Sequence, residues 1–305
     1  MTFKLEIPNI KTYQRDRRKP IEKIYQSFLK LDSKIWNMQV YDYHVFKIRN
    51  KEFKIPVLCF TTKKQGKALW LITGIHGEEP AGPNAFYENV YFINELAKKI
   101  PIVLFPLCNP SGYVRDWRYP NRRRRPRGKV TSVLETSEYF LLNLEDETKP
   151  REEIPSGKKP AALTLQAIKL YKKYPPVLSL DFHEDENLTK SYIYSQGKLG
   201  SNDPIAKQVV KILIRNGFKL KMSGKTGFNQ KIKNGVVEIV HDDSLDELIS
   251  SKKIIIKGKQ VDGPDAKSVI VIETNTVNIP IEKRVAAHEE ILLSSEKFFN
   301  MAKKI

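Results

Sequence analysis

Apolar and polar positions along the chain follow two rhythms. In the first, apolar residues recur at helical spacing: Ile21, Ile24, Tyr25, Phe28 and Leu29 share one face of a helix predicted over 20–31. In the second, apolar residues run almost without a break. The segments 68–73, 101–107, 177–182 and 268–272 are of this kind, as expected of strands covered on both faces inside a mostly parallel sheet. Two further strands, 43–48 and 53–60, flank a turn at Arg49-Asn50-Lys51. Helices are predicted from Pro80, which suits a first helical position, to about 98, and over 161–174, 203–216 and 281–304. Residues 109–160 and 224–259 lack a regular pattern, and a stretch as long as the first is expected to be functional or disordered. Strands alternating with helices predict an α/β sandwich around a central, partly parallel sheet.

Composition narrows this picture. The chain has 305 residues, 40% hydrophobic and 29% charged, which reads as one globular unit over 1–305, with 1–40 as an N-terminal extension and 109–160 as a long loop region beside the active site. No apolar run has the eighteen or so residues of a membrane span, so no membrane partner is expected. The start shows no charged and apolar leader pattern, and Cys59 and Cys108 lie in or beside apolar runs as two buried thiols. A reducing, cytoplasmic setting is the resulting expectation. The net charge of +18 comes largely from scattered lysines. One dense cluster stands out at 115–129, where seven arginines and one lysine face only Asp116.

Candidate chemistry sits where apolar strands end, which is where open α/β sheets bind their ligands. His76-Gly-Glu-Glu79 directly follows the strand 68–73, and a tight glycine-containing loop can turn His76 and Glu79 toward one point. Asp181-Phe-His-Glu-Asp185 repeats the arrangement, with His183 at the end of 177–182. Two imidazoles and a carboxylate leave a fourth coordination position for water, the composition of a catalytic zinc site rather than a structural one. Asp181, Glu184 and Asp185 are candidate partners for an imidazole. Glu273 ends the strand 268–272, a position packing does not explain, and beside a metal-bound water it is a candidate base.

In this order the motifs resemble the M14 zinc carboxypeptidase family, including its deacylase branch of succinylglutamate desuccinylases and aspartoacylases. His76 and Glu79 resemble the first two zinc ligands, His183 the third, and Glu273 the catalytic glutamate. Asn109-Pro-Ser-Gly-Tyr113 is similar to the family's Asn-Pro-x-Gly turn, and Asn121-Arg122 to the pair that grips a substrate carboxylate. For the arginine that polarises the scissile carbonyl the match falls on Arg118, with Arg115 as alternative. Asp242-Asp-Ser-Leu-Asp246 is similar to a Gly-Ser-x-Asp turn near the specificity pocket, with Asp243 where glycine is usual; Tyr192 and Tyr194 are pocket or core residues. The resemblance implies a three-layer α/β/α sandwich with a mixed, mostly parallel eight-stranded sheet. It also implies one zinc ion and hydrolysis of an amide in a small peptide or an N-acyl amino acid bearing a carboxylate.

The run Arg122-Arg-Arg-Arg125-Pro-Arg127 admits three readings: a mouth that attracts anionic substrate, a nucleic-acid contact, or a solvated loop balanced by the acidic stretch 145–153. No aromatic residue interleaves the run, which weighs against a base-stacking surface. A nucleic-acid or anionic-surface binder with a vestigial metal triad is thus the competing expectation, and the intact triad plus Glu273 argues against it.

Overall fold

The apolar stripe at 21, 24, 25 and 28 forms helix α1 (Ile21–Phe28), and all four stripe residues are buried. It opens a computed structural model that describes residues 10, 16–121, 123, 137–151, 161–186, 189–238 and 240–305. Strands β1 (Trp36–Ile48) and β2 (Lys51–Thr62) follow as an antiparallel hairpin. Its turn residues Arg49 and Asn50 have φ of 47° and 64°, the left-handed pair that matches the twist of a two-residue hairpin loop. Strand β1 begins seven residues ahead of the predicted 43, because 36–42 is half-exposed and carries no continuous apolar signal.

Strand β3 (Ala68–Thr73), helices α2 (Ala81–Glu88) and α3 (Val90–Lys99), and strand β4 (Ile102–Phe105) come next. The helix predicted over 80–98 is two helices. Asn89 leaves the helical region at φ −113°, and its side-chain amide donates to the Ala85 carbonyl instead. Helix α4 (Pro110–Arg115) lies inside the span predicted to be irregular, and α5 (Ala162–Leu170), β5 (Pro176–Asp185), β6 (Tyr192–Ser195) and α6 (Pro204–Arg215) follow. The stretch 224–259 holds short pieces: β7 (Ser223–Lys225), β8 (Lys231–Lys233), β9 (Val236–Val237), α7 (Leu245–Ser250), β10 (Lys253–Ile256) and the start of β11 (Lys259–Asp262). Strand β12 (Ser268–Asn275) precedes α8 (Ile281–Leu293) and α9 (Ser295–Ala302), which divide the predicted terminal helix at Ser294.

The main sheet has the order β1-β2-β4-β3-β5-β12-β6-β9-β8-β7, and β10 and β11 form a separate pair. The mixed α/β sandwich is as expected, with one refinement. The eight strands from β1 to β9 in that order are extended by the three-residue strands β8 and β7 to ten. Only the centre, β4-β3-β5-β12, and the β6–β9 pair run parallel; every other pairing in the main sheet is antiparallel. The apolar-run signal therefore located the parallel centre; among the antiparallel flanks β1 is half-exposed and β7, β8 and β9 are very short, while β2 is buried along its second half.

Both faces of that centre are covered. Leu69 and Leu71 of β3 pack with Phe86, Ile93, Val209, Ile291 and Phe298 from the α2, α3, α6, α8 and α9 side. Ala68, Trp70 and Ile72 face the other way, onto Leu163, Ala167 and Leu170 of α5 and Leu245, Leu248 and Ile249 of α7. Side chains alternate across a strand, so two apolar faces need the unbroken run seen in the sequence. Cys59 and Cys108 are buried free thiols, as expected. No described helix is long and apolar enough to cross a membrane.

Candidate metal centre

Strand β3 is followed by Gly74, whose φ of +67° lets the chain turn sharply out of the sheet; a Cβ there would press on Leu107 Cδ1 at 2.7 Å. The turn is tied to the segment after β4, since Cys108 N–H donates to the Thr73 carbonyl (3.1 Å) and Asn109 N–H to the Gly74 carbonyl (2.8 Å). His76 and Glu79 follow, and β5, the parallel neighbour of β3, delivers His183. His76 Nδ1 lies 2.7 Å from Glu79 Oε1, His183 Nδ1 lies 2.8 Å from Glu79 Oε2, and the two Nδ1 atoms are 3.2 Å apart. All three residues are buried. The sequence-predicted ligands thus meet at one point.

The donor set fits zinc. Tetrahedral bonds of about 2.0 Å give ligand–ligand edges of roughly 3.3 Å, close to the spacing of these atoms. The outer nitrogen of His183, Nε2, lies 3.2 Å from Asp181 Oδ2, which fixes the ring with Nδ1 facing the centre. Neither oxygen of Asp181, a fully buried residue, has another hydrogen-bond partner among the described residues. Burial, with Arg118 beside it, pulls the His76 pKa down to about 3, so its imidazole is neutral as a ligand must be. Burial also opposes charge on His183, but Asp181 and Glu79 outweigh it and push that pKa well up. Burial acts to raise the Glu79 pKa, and the two histidines overcome it and hold the carboxyl well below its usual range.

Glu273 sits on β12 opposite His183 on β5 and opposite Tyr192 on β6. It lines the cleft over the ligands with His76, His183 and Arg118. Burial between the Glu79 and Asp185 carboxylates pushes its carboxyl up to about 8, against the pull of His183 and Arg118.

The structure separates the two arginine candidates. Arg118 lines the cleft, and its Nη1 donates to Glu78 Oε1 (2.9 Å) and Glu79 Oε1 (3.0 Å). Arg115 turns away: its Nε donates to the Ser111 carbonyl, its Nη2 to the Pro120 carbonyl, and its guanidinium stacks 3.9 Å over Trp117. The Asn109-Pro-Ser-Gly-Tyr113 motif places Arg118. Asn109 Oδ1 accepts the Gly112 N–H as the cap of α4, and its Nδ2 donates to the Arg118 carbonyl. Asn121 is exposed and does not line the cleft, while Arg122 and most of the arginine run lie outside the described residues.

Of the candidate imidazole partners only Asp181 touches a ligand. Glu184 instead spans elements, accepting the Ala81 N–H at the start of α2 (2.7 Å) and pairing with Arg284 of α8. Asp185 lines the cleft. Asp243 adopts φ 62°, the left-handed conformation glycine would supply and that aspartate tolerates, which accounts for that residue at a turn position where glycine is usual. Its turn is braced by Arg151, which bonds Asp243 and both oxygens of Glu247, and Ser244 caps α7. Tyr192 and Tyr194 also line the cleft, their rings edge-on at 5.6 Å. Sequence reasoning missed Glu78, which pairs with Arg118, and the cleft residues Gln196, Phe228 and Gln230; the last two come from the patternless stretch before β8 and carry no signal of their own.

Comparison with known proteins agrees with this arrangement. The profile described as zinc carboxypeptidase, peptidase family M14, matches residues 38–236, and the chain belongs to that family. The match includes all three ligands; Glu273 lies beyond it. Among solved structures, a Shewanella amazonensis protein provisionally described as a metallopeptidase aligns at TM-score 0.66 and 18% identity, over 96% of this chain and 98% of that one. Bovine thrombin-activatable fibrinolysis inhibitor, solved with a tick carboxypeptidase inhibitor, aligns at 0.57 and 14%, over 95% and 99%. Carboxypeptidase A from Helicoverpa armigera aligns at 0.57 and 13%, over 95% and 74%. At these identities the likeness speaks for the fold. No curated protein matches in sequence.

Proposed function

We propose that this member of the zinc carboxypeptidase family removes a C-terminal residue from small peptides and prefers one with a cationic side chain. The convergence of His76 Nδ1, Glu79 and His183 Nδ1 beside Glu273 carries the hydrolase reading. A zinc ion held by those ligands supplies a Lewis acid for the carbonyl oxygen and lowers the pKa of a water. Glu273 takes a proton from the attacking water and returns it to the leaving amine nitrogen, so that water and amide become acid and amine. Arg118 faces the carbonyl oxygen as negative charge grows there. Its Nε makes no hydrogen bond among the described residues. Arg122 is the proposed two-point fork for the substrate carboxylate.

The preference for a cation rests on the cleft lining. Asp185, Asp242, Asp243, Asp246 and Glu273 all line it, and Arg118 is the one lysine or arginine among its described lining residues. Arg118 is already paired with Glu78 and Glu79, and Asp243 is met by Arg151. Burial, with Glu247 and Asp243 nearby, pushes the Asp242 carboxyl up, so a docked cation would favour its charged form. The same surroundings repel an acidic side chain, which disfavours deacylation of N-acylated acidic amino acids. Peptides ending in lysine, arginine, phenylalanine or glutamate, beside N-acylated amino acids, test this. The lysine and arginine peptides should show the highest kcat/KM, and Asp242→Asn should narrow their lead. Faster turnover of glutamate-ending peptides or of N-acyl amino acids would reject the preference.

A further inference from the structure

We propose that Arg18, reaching in from the N-terminal segment, is a positioning residue of the metal centre, setting the Gly77 peptide that lies between ligands His76 and Glu79. Its side chain is fully buried. Nη1 donates to the Gly77 carbonyl at 2.9 Å and to the Tyr113 carbonyl at 2.8 Å. Nη2 donates to Asp16 Oδ2 at 2.6 Å and Asp116 Oδ1 at 2.7 Å, and Nε donates to Asp16 Oδ1 at 2.9 Å. Burying a guanidinium is costly unless its donors are met, and here two carboxylates offset the charge while Nη1 is directed onto two carbonyls. A lysine has one point of charge and cannot span these acceptors.

The target of that contact is what makes it functional. Gly77 N–H donates to the Arg118 carbonyl at 3.3 Å, so the residue is held from both sides. Glycine has no Cβ to restrict its backbone, and without these bonds the peptide linking the two ligands is held only by its packing against Gly112. Arg18 also holds Asp116, which ends α4 in the left-handed conformation at φ 56° and stands two residues before Arg118. One cation from outside the sheet thus fixes the metal loop and the approach to Arg118. Neighbouring contacts stitch the same segment down: Lys19 N–H donates to Asn84 Oδ1 (2.8 Å) and Tyr113 Oη to the Lys19 carbonyl (2.8 Å). Loss of Arg18 leaves the sheet and helices intact but spreads the loop over several conformations. Zinc affinity then falls in proportion to the fraction that remains competent.

This inference rests on zinc as the resident metal. The test is zinc affinity, measured by chelator competition on wild type, Arg18→Met, Arg18→Lys and Leu292→Ala, the last a core truncation remote from the loop. The visible spectrum of each protein loaded with cobalt(II) reports ligand geometry. Arg18→Met should bind zinc roughly tenfold or more weakly, with a changed cobalt spectrum and only partial recovery in Arg18→Lys. Leu292→Ala should lose stability and keep both the affinity and the spectrum. Wild-type affinity and spectrum in Arg18→Met would overturn the role of Arg18 alone, whereas a wild type that takes up no zinc would overturn the metal reading with it. Should Arg18→Met not fold, Asp116→Asn removes one anchor of the guanidinium. It is expected to weaken zinc to a smaller extent, and unchanged affinity there would equally overturn the role.

Discussion

Glu273 and His183 stand directly opposite each other on the neighbouring parallel strands β12 and β5. A ligand and the candidate base are therefore positioned by the same backbone ladder. Glu273→Gln keeps the shape of the side chain and removes its basicity. The expected outcome is full zinc content with kcat lowered by about 10²–10⁴-fold. Metal analysis beside steady-state kinetics checks it, and retained activity would remove Glu273 from the role of base.

Metal removal provides the second prediction. Zinc binds the folded centre and not the dispersed ligands, so it should stabilise the protein by about 2.7 kcal/mol at a hundredfold excess over Kd. Chelator-treated wild type should melt lower and recover on adding zinc. A His76→Ala, His183→Ala double variant should show no zinc-dependent shift at all.

Asp181 contributes through His183 and not by touching substrate. Its carboxylate holds Nε2 at 3.2 Å, so Asp181→Asn should weaken zinc by about 10- to 100-fold while leaving the bound stoichiometry unchanged. Titration against a chelator of known affinity measures this.

Two buried histidines outside the ligand set predict a pH dependence of stability. Burial lowers the His288 pKa from 6.5 to about 3, and that of His44 from 6.5 to about 4. Above pH 6.5 both are neutral folded or unfolded, and stability is full. As pH falls below 6.5 the unfolded chain gains protons that the folded one refuses until about 3–4, so stability drops across that window. Each histidine contributes a slope of about 1.4 kcal/mol per pH unit there. Urea unfolding of metal-free protein at several pH values checks it. The slope difference between wild type and His288→Leu isolates one histidine from carboxylates that titrate nearby.

The candidate ligands were legible because they lie near the ends of apolar strands, His76 and Glu79 in the loop after β3 and His183 near the end of β5, where a polar side chain has no packing explanation. Glu273 was legible for the same reason. The rest depends on approaches that no local pattern records. Arg18 reads as one more cation in a basic N-terminal stretch, yet it is buried against carbonyls 59 and 95 residues further along. Asn121 matched a motif by neighbourhood alone, and its side chain stands exposed beyond the cleft. Strand β6 is four residues long and flanked by polar positions, so its alternation was too brief to register, although it carries two tyrosines of the cleft. Asn89 and Ser294 split helices whose apolar period continues across the break.

Gly77 and Gly112 are pressed together: a Cβ on Gly77 would lie 2.0 Å from the Gly112 carbonyl carbon and 2.3 Å from the Tyr113 nitrogen. The metal loop and the Asn-Pro-Ser-Gly-Tyr turn, far apart in sequence, therefore share one backbone-to-backbone seam that admits no side chain. Neither can drift alone. Transplanting the His76–Glu79 loop onto another scaffold requires carrying the turn with it, and homologous chains that gain bulk at one position must open the seam at the other.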